Sequence, residues 1–133
     1  MKRTHRFRII ESTWGVAIDL TAHLVSGQPK LESDKQLPNL VFARQDIDDA
    51  VRNQAQRGLD SVASTFPKAA AILQNNTLVV DDICYNPCDF QAEGIACATA
   101  EWICLELGLF PVPLKLRFDK CTKQYVLCDL QSA

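Results

Sequence analysis

The sequence predicts an α+β fold, a single two-layer sandwich in which helices cover one face of a mostly antiparallel sheet. Residues 14–25 alternate between larger apolar and smaller or polar side chains, the pattern of a half-buried strand. Residues 47–66 place apolar side chains at intervals of three and four, the pattern of an amphipathic helix. A chain of 133 residues that is 47% hydrophobic can bury one core. Residues 1–133 are therefore predicted to form one domain in the order β-β-β-α-β-α-β-β.

Three strands are predicted before the first helix. The stretch "HRFRIIE" (5–11) can form a strand, and "WGVAIDLTAHLV" (14–25) is the clearest strand of the sequence. After the turn "SGQPK", the short run "LVF" (40–42) adds a third strand. The second strand should turn one face to the core, since alternate residues share a face. That face carries Trp14, Val16, Ile18, Leu20, Ala22 and Leu24.

The first helix is predicted to follow Phe42, with Gln45 or Asp46 as its N-cap. Its core-facing stripe consists of Ile47, Val51, Ala55, Leu59, Val62 and Phe66. Pro67 should break or bend the helix, because proline cannot donate the backbone hydrogen bond that a helix interior requires. The next residues, "KAAAIL", can add one or two further turns.

The second half predicts a central strand, a helix and a hairpin. "TLVVDDICY" (77–85) begins with an apolar run, which is typical of the middle of a sheet. Its acids Asp81 and Asp82 are expected to point to opposite faces. Asp89 is expected to cap a helix from about 90 to 107 that ends at Gly108. Strands at 114–118 and 124–130, joined by "DKCTK", complete the fold.

Composition favours a cytoplasmic protein that contacts no membrane. The basic start "MKRTHRFRIIESTWG" is not followed by a signal-peptide apolar run, and no stretch reaches the roughly 18–20 apolar residues of a membrane span. The net charge is −2. In a reducing compartment the six cysteines are expected to be thiols, and no cofactor is predicted.

Four of the cysteines form a candidate metal site. Zinc sites commonly use short Cys-x₂₋₄-Cys pairs, and Cys84 and Cys88 have that spacing. Cys121 and Cys128 could join them if the hairpin brings the two together. The alternative, which we favour for Cys97 and Cys104, is that these cysteines pack as small buried hydrophobes.

Charged residues provide two further candidate sites. Basic side chains crowd residues 2–8 and 115–123, and together these stretches could form one cationic edge. The candidate binding residues are Arg3, Arg6, Arg8, Lys115, Arg117, Lys120 and Lys123. Between Ala69 and Leu114 the chain has six acids and no basic residue, and Asp82 with Glu93 could form an acidic pocket. His5 and His23 are expected to be surface or sheet-face imidazoles.

The stretches "WGVAIDLTAHLVSG" (14–27), "DIDDAVRNQAQRGLDSVAST" (46–65) and "LVVDDICYNPCDFQAEGIACATAEW" (78–102) together resemble a known domain. The pattern is similar to the fourth domain of translation elongation factor G, in the ribosomal protein S5 domain 2-like superfamily. The similarity spans about residues 14–108. It implies a split β-α-β arrangement with helices on one sheet face. No functional residue transfers, because the stretch 26–38 has as many acids as lysines and so lacks the positive charge expected where the family's tip loops reach toward RNA.

The motifs exclude several enzyme classes. The five glycines do not cluster as in a phosphate-binding loop, and neither G-x-S-x-G nor H-E-x-x-H occurs. The favoured hypothesis is a non-catalytic module that binds a protein partner or a second copy of itself. Its anchors could be the aromatic residues Phe7, Trp14, Tyr85 and Tyr125. The alternatives are an RNA- or ribosome-associated module using residues 2–8 and 115–123, and a small enzyme with an acidic or thiol site.

Overall fold

The computed structural model of the protein describes residues 2–10, 15–26, 40–85 and 91–129. It confirms the mixed α+β fold, with helices packed on one face of an open sheet. The strands are β1 (Arg3–Ile10), β2 (Gly15–Ser26), β3 (Leu40–Phe42), β4 (Asn76–Tyr85), β5 (Leu114–Asp119) and β6 (Gln124–Asp129). The helices are α1 (Asp49–Thr65), α2 (Pro67–Gln74) and α3 (Glu93–Leu107). Trp14, Cys88 and Asp89, which carried predictions, lie outside the described residues.

The main sheet has the strand order β1-β2-β4-β3. β1 and β4 both run antiparallel to β2, and β3 runs parallel to β4. The predicted apolar strand β4 therefore occupies the interior of the sheet, and β1 occupies an edge. The hairpin β5–β6 forms a second, two-stranded sheet.

The alternation in β2 predicted its buried face correctly. Val16, Ile18, Leu20 and Ala22 are each at most 1% exposed, and they face the helices. The intervening residues from Ala17 to His23 are only partly buried, so they line the opposite face of the sheet, called here the open face.

A β-bulge in β4 contradicts the prediction that Asp81 and Asp82 point to opposite faces. Thr21 lies opposite Asp82 but Ala22 lies opposite Val80, so Asp81 is an extra residue in β4. Such an insertion interrupts the alternation of side chains. Val80 and Ile83 are buried on the helix side, and both acids between them lie on the open face.

The C-terminal ends of α1 and α3 follow the predicted signals, but the N-caps do not, since the N-cap of α3 is Ala92 where Asp89 was predicted. α2 begins at Pro67, and α3 ends at Gly108, which is left-handed with φ 68°. The N-cap of α1 is Asp48, so the prediction of Gln45 or Asp46 was wrong. Asp46 instead binds the guanidinium of Arg44, with Nη2 2.7 Å from its Oδ2.

Helix α3 is the centre of the core. Ten of its residues are buried, among them Trp102, Ile103, Cys97 and Cys104. Its most extensive contacts with the main sheet are to β1 and β2, and it also packs against α1 and the hairpin. The side-chain amide of Gln91 fixes the hairpin by donating to the carbonyl of Tyr125 and accepting from the Tyr125 amide.

Candidate functional site

Strand β1 gives the main sheet a long and regular edge. It pairs with β2 over eight consecutive residues, from Arg3 opposite Ala22 to Ile10 opposite Gly15, without a register shift. Its other side meets no strand within the described part of the chain. Edge strands are commonly protected by proline, a bulge or charge, and among these β1 has only charge. Its outer backbone groups can therefore pair with another strand.

Helix α3 fixes the position of β1 through contacts on the helix-facing side of the sheet. The indole Nε1 of Trp102 donates to the carbonyl of Arg3 at 2.9 Å, and the Arg3 guanidinium lies 3.1 Å from Glu106. His5 Nε2 lies 2.7 Å from Glu101 Oε1. These three contacts span the first half of β1, so its edge is a fixed surface.

The open face of the sheet carries a polar network. Thr4 and Thr21 share a hydrogen bond of 2.7 Å across β1 and β2. His23 Nδ1 lies 2.7 Å from Asp81 Oδ2, and Lys2 lies 3.6 Å from the other oxygen of Asp81. The predicted sheet-face position of His5 and His23 is correct, and each imidazole has a carboxylate partner. These partners come from α3 and from the bulge.

The basic side chains of residues 2–8 are largely neutralised by carboxylates. Lys2 is matched by Asp81, Arg3 by Glu106, and Arg8 by Asp19 at 2.7 Å. Arg6 is exposed and forms no ion pair with any carboxylate of the described residues. Its cross-strand neighbour is Asp19, which already pairs with Arg8, so Arg6 is the cation of residues 2–8 that has no ion pair in the described part of the chain.

The four basic residues of the hairpin are exposed and, within the described ranges, none pairs with a carboxylate. Lys115 and Arg117 lie on β5, and Lys120 and Lys123 lie in the turn before β6. The hairpin belongs to a separate sheet, so the two basic stretches do not lie along one sheet edge.

The structure separates two of the candidate metal ligands. Cys128 lies opposite Lys115, whereas Cys121 lies in the turn beyond Gln124. The four-residue step along β6 from Cys128 to Gln124 is roughly 13 Å long, and Cys121 lies beyond Gln124. No three His, Cys, Asp or Glu side chains gather closely enough for a metal within the described ranges, from which Cys88 is missing.

Cys84 is an exposed thiol whose chemistry is set by Asp82. It borders a shallow depression of about 300 Å³ that is also lined by Arg8, Ala17, Asp19 and Tyr85. The thiol donates to Asp82 Oδ2 at 3.3 Å. This hydrogen bond, partial burial and the nearby carboxylates raise the pKa of Cys84. At neutral pH the thiol therefore stays protonated, which is unfavourable for a nucleophile.

We expect Asp82→Asn to accelerate alkylation of Cys84 by iodoacetamide at pH 8 several-fold. Removing the carboxylate charge lowers the pKa of the thiol, so more thiolate is present at that pH. Mass spectrometry of the Cys84 peptide over time gives the rate. Asp46→Asn is the matched control, because it removes the other carboxylate bound to Arg44 without touching Cys84. Equal rates in Asp82→Asn and the parent would contradict this role of Asp82.

The two acids of the predicted pocket have different partners. Asp82 Oδ1 accepts from Arg44 Nη1 at 2.7 Å, and this guanidinium lowers the pKa of Asp82. Glu93, in the first turn of α3, accepts from the amide of Gln91 at 2.9 Å. Asp82 is therefore an ionised carboxylate in an ion pair with Arg44, and Glu93 belongs to the contact between α3 and the hairpin.

The buried cysteines fulfil the packing prediction. Cys97 and Cys104 are at most 1% exposed. Burial raises the pKa of Cys97 to about 12 and that of Cys104 to about 11. Such thiols are unreactive at physiological pH. The five cysteines of the described residues are all free.

The exposed apolar residues differ from those expected. Phe7 and Tyr125 are buried, so the prediction that they anchor a partner was wrong, whereas Tyr85 is 44% exposed. Leu105 at 55% and Phe110 at 87% exposure were not predicted. Apolar side chains lie around most of the circumference of helix 93–107, so the sequence pattern does not distinguish an outward leucine from a buried one.

Within the described residues, no helix combines the length and apolar character needed to cross a membrane. A scan of the chain against protein-family models gives no match. Searches of curated proteins and of solved structures give no match either. The resemblance to the elongation factor domain remains a prediction.

Proposed function

We propose that the protein is a non-catalytic interaction module that binds an extended, acidic segment of a partner protein along the outer edge of β1. The observation that carries this proposal is the eight-residue register of β1 with β2, which leaves a straight edge on one side of the sheet. An extended peptide can add a strand to such an edge through main-chain hydrogen bonds. Because α3 already holds β1, little ordering of the edge is needed on binding.

Side chains beside the edge select the peptide's sequence. On the open face an added strand places residues next to Arg6, which has no carboxylate partner among the described residues. On the helix face it approaches the ridge of α3 that carries Glu101 and Leu105, one turn apart. The preferred segment therefore alternates acidic residues toward Arg6 with apolar residues toward Leu105.

The same side chains disfavour a second copy of β1 as the partner. In an antiparallel pair of β1 strands with matching faces, a register centred on Arg6 puts this residue opposite itself. A register centred on Phe7 puts Arg6 opposite Arg8. Like charges directly opposite each other are destabilising. In these two registers the edge disfavours its own sequence, and an acidic strand avoids this repulsion.

The test is a fluorescence anisotropy titration with a labelled peptide VEVEVEV and its lysine counterpart VKVKVKV. We expect only the acidic peptide to bind. Arg6→Glu should weaken its binding about tenfold, since replacing an attractive cross-strand pair by a repulsive one changes the free energy by roughly 1–1.5 kcal/mol. Leu105→Ala, added to Arg6→Glu, should weaken binding of the acidic peptide further. Arg117→Glu is the matched control, because it reverses an exposed cation away from β1.

A peptide with the same side chains but with all its backbone amides N-methylated separates strand addition from simple charge attraction. It retains the charges and loses the backbone donors of both its edges, so binding should disappear. Equal binding of the methylated peptide, or equal losses in Arg6→Glu and Arg117→Glu, would overturn the proposal.

A further inference from the structure

The outward face of the hairpin is a second charged surface, independent of β1. Its strand β5 alternates buried Leu114 and Leu116 with exposed Lys115 and Arg117. Lys115 lies opposite Cys128 and Arg117 lies opposite Val126, so neither cation has an acidic cross-strand neighbour. β5 also carries Asp119 two residues beyond Arg117, so it places two cations and one acid on this face, which keeps a net positive charge.

The turn extends this surface. Lys120 and Lys123 are exposed, and Lys123 has a left-handed backbone with φ 58°. The acid at this end, Asp119, accepts a hydrogen bond from the backbone amide of Cys121 at 2.9 Å. We call Lys115, Arg117, Lys120 and Lys123 the hairpin cations. Those on β5 are two residues apart, which spaces them by about 7 Å along the strand.

An exposed aromatic side chain precedes the hairpin. Phe110 is 87% exposed, although its neighbours Leu109 and Val112 pack against the core. Before Phe110 the chain is fixed by the hydrogen bond from the Leu109 amide to the Cys104 carbonyl, and after it by the packing of Val112 against the core. A large aromatic ring in this position has its surface available for stacking.

We propose that the hairpin cations and Phe110 form a binding surface for single-stranded nucleic acid. The cations contact successive phosphates, and Phe110 stacks on an unpaired base. Binding through phosphates and one stacked base does not depend on sequence. A duplex satisfies the phosphate contacts alone, because its bases are already stacked on each other, so the aromatic ring favours the single strand. This inference uses a different surface from the peptide-binding proposal, and each can fail without the other.

The test is anisotropy of a fluorescein-labelled 12-nucleotide oligouridylate, alone and annealed to its complement. With four phosphate contacts, affinity for the single strand should fall roughly 50-fold between 50 and 200 mM salt. The double variant Lys115→Glu/Arg117→Glu should abolish binding. Phe110→Ala should weaken binding about tenfold with the salt dependence unchanged, because stacking is not ionic. Arg6→Glu, a charge reversal on β1, should leave binding intact.

Three results would overturn this proposal. They are an equal loss of affinity in Arg6→Glu, equal affinity for the duplex, and no effect of Phe110→Ala. Vesicles containing 30% phosphatidylserine and the acidic peptide VEVEVEV are tested in parallel. Tighter binding of either one that is lost in the Lys115→Glu/Arg117→Glu variant would assign the hairpin to a membrane or a protein instead. All the substituted side chains are exposed, so circular dichroism should show an unchanged fold.

Discussion

Replacing Trp102 by alanine is expected to lower the free energy of unfolding by about 3–5 kcal/mol. The indole is 0% exposed at the centre of the core and donates to the carbonyl of Arg3. The substitution leaves a large cavity and removes the hydrogen bond that ties α3 to β1. For a chain of this size we expect the melting temperature to fall by roughly 10 °C or more. Urea denaturation followed by circular dichroism measures the change.

Two further variants separate the contributions at this position. Trp102→Phe keeps most of the volume and removes the indole N–H, so it should destabilise by an intermediate amount. Leu105→Ala changes an exposed residue of the same helix and should stay within about 0.5 kcal/mol of the parent. A loss below 1 kcal/mol for Trp102→Ala would contradict the central position of the indole.

Replacing Gly58 by alanine is expected to destabilise the protein by about 1–2 kcal/mol, although alanine is the better helix former. A Cβ at this position would lie 2.3 Å from the backbone oxygen of Ala96 and 3.0 Å from Cβ of Thr99. Overpacking costs about 1–3 kcal/mol, and a 2.3 Å approach to a backbone atom belongs to the upper part of that range, whereas the gain in helix propensity is about 1 kcal/mol. The close contact between α1 and α3 therefore decides the sign.

Asn53→Ala is the matched control for Gly58→Ala. It lies in the same helix and is exposed, so helix propensity alone should make it neutral or slightly stabilising. Because Gly58 approaches a backbone atom, no substitution at Ala96 can relieve the clash. A Gly58→Ala variant as stable as the parent in urea would show that the helices separate without loss.

The elements of the fold could be predicted because local patterns determine them. The alternation from Val16 to Ala22 predicted the buried face of β2, and Gly108 predicted the end of α3. The apolar start of β4 predicted its interior position in the sheet. Each of these signals lies within the element that it describes.

The candidate site depends on contacts between distant residues, and these the sequence could not provide. The bulge at Asp81 arises from the register with β2. The neutralisation of Arg3 and Arg8 depends on Glu106 and Asp19, which belong to other elements. Because the sequence does not show these ion pairs, it could not tell whether the cations of the first strand or those of the hairpin remain unpaired. Likewise, nothing in the sequence around Gly58 indicated that α3 packs closely against it.

Helix α3 also constrains the order in which the chain can fold during synthesis. Trp102 and Arg3 are 99 residues apart, and His5 and Glu101 are 96 apart. When β1 and β2 leave the ribosome, the helix that covers them has not yet been made. Their apolar face must stay exposed or be shielded by a chaperone until α3 emerges. The edge strand is therefore synthesised early and secured late, and a stalled ribosome would present it unsupported.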